Sequence, residues 1–328
     1  MFKMKKIISF SILLLFMYSA SAQIVKAVFP EANFLQVAAD TSDTNAAGGG
    51  AAKPKPVRKF NGNNGLSFSQ VSYSDSWESG GVPNLTLRAT SNLSFTYKRC
   101  LWYFQSVFDG AYAMTWDNVN YLQKKEDRFQ FTNTLGLRTA EKSKFYYTAL
   151  VDLKSQFTPG YRSPADRTMI SRLFSPAYLT TSLGMSFKDC DVWNITVAPV
   201  SGRFTFVLDT AISRMNIYTE VKQGETVAVN MGFYAGIIFK KAFLKIMYFN
   251  TKMELFSNYT DHPENIDIDW ENKLGIKITS FLAAELYCRM VYKDKSRYNV
   301  TLPDGTTEMR GPRLQIHESF NIGLTYNF

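Results

Sequence analysis

The sequence predicts an all-β fold, namely a transmembrane antiparallel up-and-down β-barrel of about twelve strands. Three observations predict it: polar and apolar residues alternate along the chain, short and long connections follow one another in turn, and the chain opens with a segment typical of a secretion signal. A soluble β-sandwich also alternates, but alternating segments of about 12 to 15 residues exceed ordinary strands and can cross a bilayer at a tilt. Aromatic residues make up 15% of the chain, which suits the aromatic girdles of such barrels.

Residues 1–22 have the pattern of a signal peptide that is removed on export. Met1 to Lys6 is basic, Ile7 to Tyr18 is almost wholly apolar, and Ala20 to Ala22 supplies the small residues that a signal peptidase recognises. The apolar run is shorter than the roughly 20 residues of a transmembrane helix, so an uncleaved anchor is the less favoured alternative. Cleavage would leave Gln23 as the mature N-terminus, and the absence of a Cys there argues against a lipoprotein.

Charge and cysteine content argue against several other classes of protein. The formal charge is +9, and removal of the three lysines of the signal leaves about +6 (9 − 3). The basic residues recur singly and do not cluster on one face, so no nucleic-acid partner is expected. Cys100, Cys190 and Cys288 are odd in number and widely spaced, which indicates neither a metal site nor a disulfide framework. We expect no cofactor.

The mature chain divides into a leader at 23–64 and a barrel at 65–328. The stretch from Asp40 to Lys59 is rich in Gly, Ala, Pro and small polar residues, too poor in apolar side chains to offset the entropy of ordering, so we expect a flexible periplasmic leader. A short anchored element at Ile24 to Val37 is an alternative. The predicted strands lie near 65–73, 84–97, 101–114, 127–138, 144–157, 175–187, 191–208, 226–240, 243–257, 265–279, 281–293 and 314–328.

Connection lengths supply a second test, because membrane barrels have short periplasmic turns and long outer loops. The predicted short connections are 98–100, 139–143, 188–190, 241–242 and 279–280. The predicted long connections are 74–83, 115–126, 158–174, 209–225, 258–264 and 294–313. An even number of strands with the leader and the C-terminus both in the periplasm follows.

The polar face of each alternating strand should line the lumen. Its charged and titratable members would be Arg88, Arg128, Arg138, Asp152, Lys154, Asp269, Glu271, Lys273, Lys277, Glu285, Arg289 and His317. Charges of both signs are mixed, and such charges either tune a water-filled pore or pair across a narrow lumen and plug it. The sequence leaves both outcomes open.

The last strand ends in a pattern typical of outer-membrane assembly. Gly323, Tyr326 and Phe328 close an alternating aromatic strand, as in a signal that the barrel assembly machinery reads. A buried terminal strand of a globular protein is the alternative.

Four pieces of sequence resemble a known family. They are Leu153 to Tyr161, Ser175 to Lys188, Leu255 to Glu271 and Gly311 to Phe328, together with Trp77 and Gly80-Gly81. The family consists of uncharacterised outer-membrane proteins of Bacteroidota, catalogued as domain of unknown function 3078. The resemblance spans about 65–328, is most specific after Leu255, and implies an outer-membrane barrel without an assigned activity.

Catalytic candidates are few, because the chain holds only His262 and His317. The His317-Glu318-Ser319 sequence superficially resembles the Ser-His pair of outer-membrane phospholipase, but both side chains face the lumen and no orienting partner can be named. Acidic residues surround His262, as in omptin proteases, at Asp261, Glu264, Asp267 and Asp269. A solvated loop, or a contact with a divalent cation or lipopolysaccharide, explains the same residues.

The leading functional expectation is a passive channel or carrier for a small solute. A structural or interaction barrel with a closed lumen is the alternative, and a barrel hydrolase comes third, so we expect no enzyme. The expected partners are outer-membrane lipid and lipopolysaccharide, the barrel assembly machinery during biogenesis, and a small-solute ligand, whereas the oligomeric state stays open. Tryptophans near strand ends are expected to anchor the barrel at the membrane interfaces.

Overall fold

The computed structural model describes residues 56–71, 83–119, 121–163, 166–189, 192–243, 246–301 and 307–327, and the predicted signal peptide and most of the leader lie outside them. Twelve strands form the barrel: β1 Val57–Val71, β2 Asn84–Arg99, β3 Trp102–Asp117, β4 Tyr121–Arg138, β5 Phe145–Ser155, β8 Ala177–Asp189, β9 Trp193–Phe206, β10 Val227–Phe243, β11 Met247–Asn258, β12 Ile266–Lys277, β13 Leu282–Tyr292 and β16 Gln315–Asn327. Two small hairpins, β6 Gly160–Tyr161 with β7 Met169–Ser171 and β14 Tyr298–Thr301 with β15 Thr307–Arg310, and a short helix, α1 Thr210–Arg214, occupy the connections.

The barrel is closed and antiparallel throughout. Each strand pairs with the next along the chain, and β16 pairs with β1 to complete the circle. The predicted fold class and the count of about twelve strands are therefore confirmed. Connections of two to six residues join the strands at one end, which we call the turn end, where β1 begins and β16 finishes. The opposite end is called the loop end.

Two predicted boundaries are wrong. The first strand begins at Val57 and not near Gly65, because the polar stretch Val57–Asn64 lacks an alternating apolar face yet pairs fully with Ser91–Lys98 of β2. The predicted long loop at 115–126 is mostly strand, since β3 ends at Asp117 and β4 starts at Tyr121. The register shift opposite Ala113 and Met114 interrupts the alternation there, which hides the strand in the sequence.

Apolar side chains cover the outward face of the barrel. Leu183 is 60% exposed, Leu286 50% and Phe320 67%, and each lies one position from a polar residue on the opposite face. Trp102, Trp116 and Trp193, all exposed, lie near strand ends, as expected of interface anchors. Only a closed barrel satisfies every strand's backbone groups in lipid, so an apolar outer belt on such a barrel is a membrane-spanning surface. No helix among the described residues is long and apolar enough to span a membrane.

The long connections at the loop end are held by specific side chains. Asp127 on β4 accepts hydrogen bonds from the backbone N–H groups of Phe157 and Thr158 at 2.8 and 2.9 Å, which fixes the start of the 156–176 connection. Asp209 caps α1 by accepting from Ala211 N–H at 2.9 Å. These contacts give the loop end a defined structure.

Candidate functional site

The barrel interior is the candidate functional site, because ion pairs join strands that are not neighbours in the wall. Lys154 on β5 bonds to Glu254 on β11, although β8, β9 and β10 separate these strands around the barrel. The same ammonium lies 3.3 Å from Asp269 on β12. Contacts between such distant strands pass through the lumen, so these three side chains face inward and cross it.

The cross-lumen contact is part of a larger network of opposite charges. Lys252 lies 2.9 Å from Glu254 on its own strand. Arg289 on β13 donates to both carboxylate oxygens of Asp269 at 2.9 and 2.8 Å, and its Nε lies 3.8 Å from Glu271. Each carboxylate in this group therefore faces at least one cation, as buried charges require.

A second network crosses the lumen between β3 and β12. Asp109 on β3 accepts from Arg128 at 2.7 Å, and Lys273 of β12 approaches the same carboxylate to 3.6 Å. Arg128 also lies 3.0 Å from Glu126, which in turn accepts from Arg88 of β2 at 2.7 Å. Three cations and two carboxylates thus form a continuous chain across part of the interior.

A carboxylate with uncharged hydrogen-bond donors and a small apolar cluster lie beside these networks. Asp152 on β5 is 5% exposed and accepts from Gln130 and Thr132, each at 2.6 Å. An apolar cluster of Leu150, Ala198, Tyr234 and Phe256 forms nearby. These residues and networks belong to the inward faces of nine of the twelve strands, β3, β4, β5 and β8 to β13, and we call this larger part of the lumen the charged half.

The remaining candidate lumen residues lie closer to the ends or to the other wall. Arg138 donates to the Tyr146 hydroxyl at 2.9 and 2.6 Å near the turn end. Glu285 accepts from the Tyr248 hydroxyl at 3.3 Å, and Lys277 is exposed. His317 is exposed, with its ring centroid 5.8 Å from that of Tyr287.

The two candidate catalytic groupings are not assembled. Ser319 accepts from Asn321 at 3.1 Å, and the described residues show no hydrogen bond between His317 and Ser319. The acidic residues near His262 are divided between two places. Asp267 bonds to Arg203 at 2.6 Å and Asp269 belongs to the lumen network, whereas Asp261 and Glu264 stay in the exposed connection at the loop end.

The loop end of the lumen carries a small polar mouth. A cavity of about 30 Å³ lies there among Arg203, Glu220, Asp261, Asp267 and Lys295. Its charges are paired, because Lys295 lies 2.6 Å from Asp261 and Lys293 lies 2.9 Å from Glu220. Within the described residues, no group of three or more His, Cys, Asp or Glu side chains is arranged to hold a metal ion.

Hydrogen bonds and neighbouring charges shift the pKa values of two groups in and beside this mouth. A hydrogen bond from Lys295 lowers the pKa of the Asp261 carboxyl, so this exposed residue stays ionised. The hydrogen bond between His262 and Glu264, at 3.0 Å, raises the pKa of the His262 imidazole above its usual value. Both shifts favour the charged forms of these exposed pairs.

Sequence reasoning missed several members of the lumen networks, namely Asp109, Glu126, Arg203, Lys252 and Glu254. Glu126 falls at the end of the predicted loop at 115–126, because the β4 alternation is interrupted there. Lys252 and Glu254 lie on either side of Met253 and so share one face of β11, but the strand alternates imperfectly, because Thr251 follows the apolar face and Tyr248 and Phe256 follow the polar one.

The opposite wall of the lumen, formed by β1, β2 and β16, differs from the charged half, and we call it the seam. Its inward residues are mostly small and polar, and the cations on this face are Arg88 and, at the turn end, Lys59 and Lys98. The β1–β16 ladder holds five partner pairs, from Asn63↔Asn327 to Ser67↔Gly323. The β1–β16 ladder stops at Ser67 and Gly323, although β1 remains paired with β2 to Val71 and β16 remains paired with β13 from Gln315.

The proposed assembly signal lies partly at this seam. A side chain at Gly323 would place its Cβ 2.5 Å from the Leu66 carbonyl oxygen and 2.7 Å from the Ser67 Cα, so only glycine allows this approach. Tyr326 pairs with Asn64 and points outward, 68% exposed. Phe328 lies outside the described residues.

A family model matches part of the chain. The family is described as a protein of unknown function (DUF3078), and the match covers residues 68–161. The matched region includes Leu153–Tyr161 and Trp77 but not the three later pieces that carry the resemblance in the sequence. No curated protein matches the chain.

Solved outer-membrane barrels are similar to the chain at low identity. An outer membrane channel from Pseudomonas putida F1 is 10% identical, with 86% of this chain and 99% of that chain covered and a TM-score of 0.38. OmpT of Vibrio cholerae is 10% identical, with 85% and 99% covered and a TM-score of 0.28. The TodX monoaromatic hydrocarbon channel is 10% identical, with 83% and 89% covered and a TM-score of 0.29. Similarity at this level carries no information about activity.

Proposed function

We propose that the protein is an outer-membrane barrel whose lumen is closed to free diffusion by its own ion pairs. The observation that carries this proposal is the position of Lys154, which reaches across the interior to Glu254 and Asp269. In an open pore, water would hydrate such charges separately, whereas charges that pair across a narrow lumen plug it. The apolar outer belt supports location in the outer membrane, with the turn end in the periplasm.

Conductance across a planar lipid bilayer tests the closed lumen. We expect the purified protein to show no steady open-channel current. Lys154→Ala should raise conductance, because it removes the contact that spans the interior while Lys252 still neutralises Glu254 and Arg289 still neutralises Asp269. Lys142→Ala, which removes the same charge from an exposed turn, is the matched control. A steady current from the unaltered protein, equal to that of Lys154→Ala, would overturn the proposal.

A channel or carrier for a small solute is the second candidate, and the seam favours it. Small polar side chains line this wall, and a cavity of about 180 Å³ lies beside Ser67, Thr86 and Asn321. Swelling of protein-containing liposomes in neutral and charged solutes measures such passage. Swelling by one class of small solute, without ionic current, would support a selective carrier.

The binding partners of the protein and its bacterial origin belong to this proposal as well. Deletion of residues 23–64, or of 23–55 to spare β1, followed by co-purification, tests whether the leader recruits a partner. The Bacteroidota origin, the contacts with lipopolysaccharide and the absence of enzyme activity stay predictions. Replacement of His262 and His317 with Ala should leave every hydrolytic assay unchanged.

A further inference from the structure

The seam contains a notch in the barrel wall. Strand pairing between β1 and β16 stops at Ser67↔Gly323, yet β1 continues to Val71 and β16 extends back to Gln315. Among the described residues, the facing edges Phe68–Val71 and Gln315–Ile322 therefore have no ladder with each other. Backbone groups at membrane depth need partners, and irregular or unpaired backbone is tolerated there only where it lines a cavity or is covered.

A cavity of about 180 Å³ occupies this notch. Its lining includes Phe68, Phe320 and Ile322, which belong to the outward face. It also includes Ser67 and Asn321 of the inward face. The wall of a β-barrel is a single layer of strands, so a cavity that touches both faces passes through the wall. The notch is thus a lateral opening that joins the lumen to the lipid side.

The two mouths of this opening have different chemistry. On the lipid side, Phe68 and Phe320 are 58% and 67% exposed and form an apolar lip. On the lumen side the lining is hydroxyl, amide and the guanidinium of Arg88. Arg88 uses its Nε and Nη2 toward Glu126, at 2.7 and 3.5 Å, while Glu126 is already paired with Arg128. A second anion can therefore bind Arg88 while Glu126 keeps Arg128 as its partner.

We propose that this lateral opening binds a single-chain amphiphile with an anionic head group, of the fatty-acid class. The apolar chain lies against Phe68, Phe320 and Ile322, where it remains in contact with membrane lipid. The carboxylate reaches through the wall to Arg88, with Ser67 and Asn321 as further hydrogen-bond donors. A wholly apolar ligand would leave these polar groups unpaired, and a wholly polar one would not cross the apolar lip.

This proposal does not depend on whether the lumen is closed. Conductance reports on ion flow through the lumen, whereas ligand labelling reports on binding at the notch in the wall. The test uses the full-length protein in lipid nanodiscs with a diazirine-bearing fatty acid as the photoreactive probe. Mass spectrometry then identifies the labelled peptides. We expect labelling concentrated on β1 around Phe68 and on β16 around Phe320, and we expect unlabelled fatty acid to compete for it.

Two variants keep the result decisive. Arg88→Gln should weaken the competition by about tenfold, the loss expected for one charge-assisted hydrogen bond. Arg99→Gln, at the exposed far end of the same strand, is the matched control and should change nothing. Ser69→Trp, which fills the notch from β1, should abolish labelling even where Arg88→Gln folds poorly.

Three results would overturn the proposal. Labelling spread evenly around the outer belt, including strands far from the seam such as β9, would show ordinary contact with lipid. Labelling at the seam that neither Arg88→Gln nor Ser69→Trp reduces would show that the probe contacts the lip without entering the opening. Cross-linking of the notch to a protein strand, with no fatty-acid labelling, would assign the edge to a different occupant.

Discussion

The charged half of the lumen and the seam are built on opposite principles. In the charged half, long side chains from distant strands meet, so that Lys154 and Lys273 reach carboxylates across the interior. At the seam, short polar side chains line the wall and the β1–β16 ladder has only five partner pairs, against ten between β13 and β16. The first region holds the barrel together through its interior, and the second leaves an opening.

This difference indicates where function resides. Buried charges on several strands must all remain paired, so any rearrangement of the charged half breaks several contacts together. At the seam Arg88 of β2 joins the second network, whereas among the described residues no side chain of β1 or β16 belongs to either network. A ligand that enters from the side therefore meets the part of the wall that yields most easily.

The largest expected effect comes from removing a carboxylate of the charged half. Glu254→Ala leaves Lys252 with no other carboxylate within ion-pair distance among the described residues and leaves Lys154 with Asp269 alone. Loss of one partner of a buried ion pair costs about 3–5 kcal/mol. Unfolding by urea in lipid vesicles measures this cost. Asn321→Ala at the seam, which removes one bond to Ser319, should cost about 0.5 kcal/mol. Equal costs would remove the distinction between the two regions.

A charge placed on the outer belt tests the orientation on which the comparison rests. Leu286 lies mid-strand on β13 and points outward, half exposed to the surroundings. Leu286→Arg should cost about 2–4 kcal/mol in a bilayer, because an arginine at the midplane must leave water. Ser319→Arg, on the lumen side of the neighbouring β16, should cost less than about 1 kcal/mol. The same unfolding assay would contradict the orientation if the two costs were reversed.

The sequence predicts the barrel well because each strand's alternation and each connection's length can be recognised from a short stretch of sequence. Strand β16 shows this, since Ile316, Phe320 and Ile322 alternate with polar residues and all three are exposed on the outer face. The first strand is predicted poorly, because Val57–Asn64 has no apolar face and is held only by its ladder to β2. Pairing with a neighbour is information that a single strand does not carry.

The ion-pair partners inside the lumen cannot be predicted from the sequence, for a different reason. Alternation places Lys154 and Asp269 on inward faces, but their meeting depends on how far apart β5 and β12 lie across the closed barrel. The notch is likewise invisible, because β1 and β16 both look like complete strands and only the ladder between them ends at Ser67. Both features arise from closure of the barrel.

A methyl group at the seam should separate β1 from β16 further. Gly323→Ala would place a Cβ 2.5 Å from the Leu66 carbonyl oxygen, so the two backbones must move apart at the last paired position. Overpacking of this kind costs about 1–3 kcal/mol. Gly202→Ala on the outward face of β9 is the control, since its Cβ would meet side-chain atoms no closer than 3.2 Å. Hydrogen exchange at β1 amides should increase in Gly323→Ala and stay unchanged in Gly202→Ala; equal protection in both would mean that the seam tolerates the added methyl.

The smallest expected effect lies at the loop end of the charged half, where the connection between β11 and β12 depends on pH. The hydrogen bond to Glu264 favours protonated His262 and raises its pKa above the ordinary value of 6.5. The pair therefore stabilises this connection fully below pH 6.5, and the contribution disappears as the pH rises through the raised pKa. NMR titration of the His262 ring measures the shift, and Glu264→Gln should return the pKa toward 6.5. A His262 pKa that Glu264→Gln leaves unchanged would show that this exposed pair does not hold the loop.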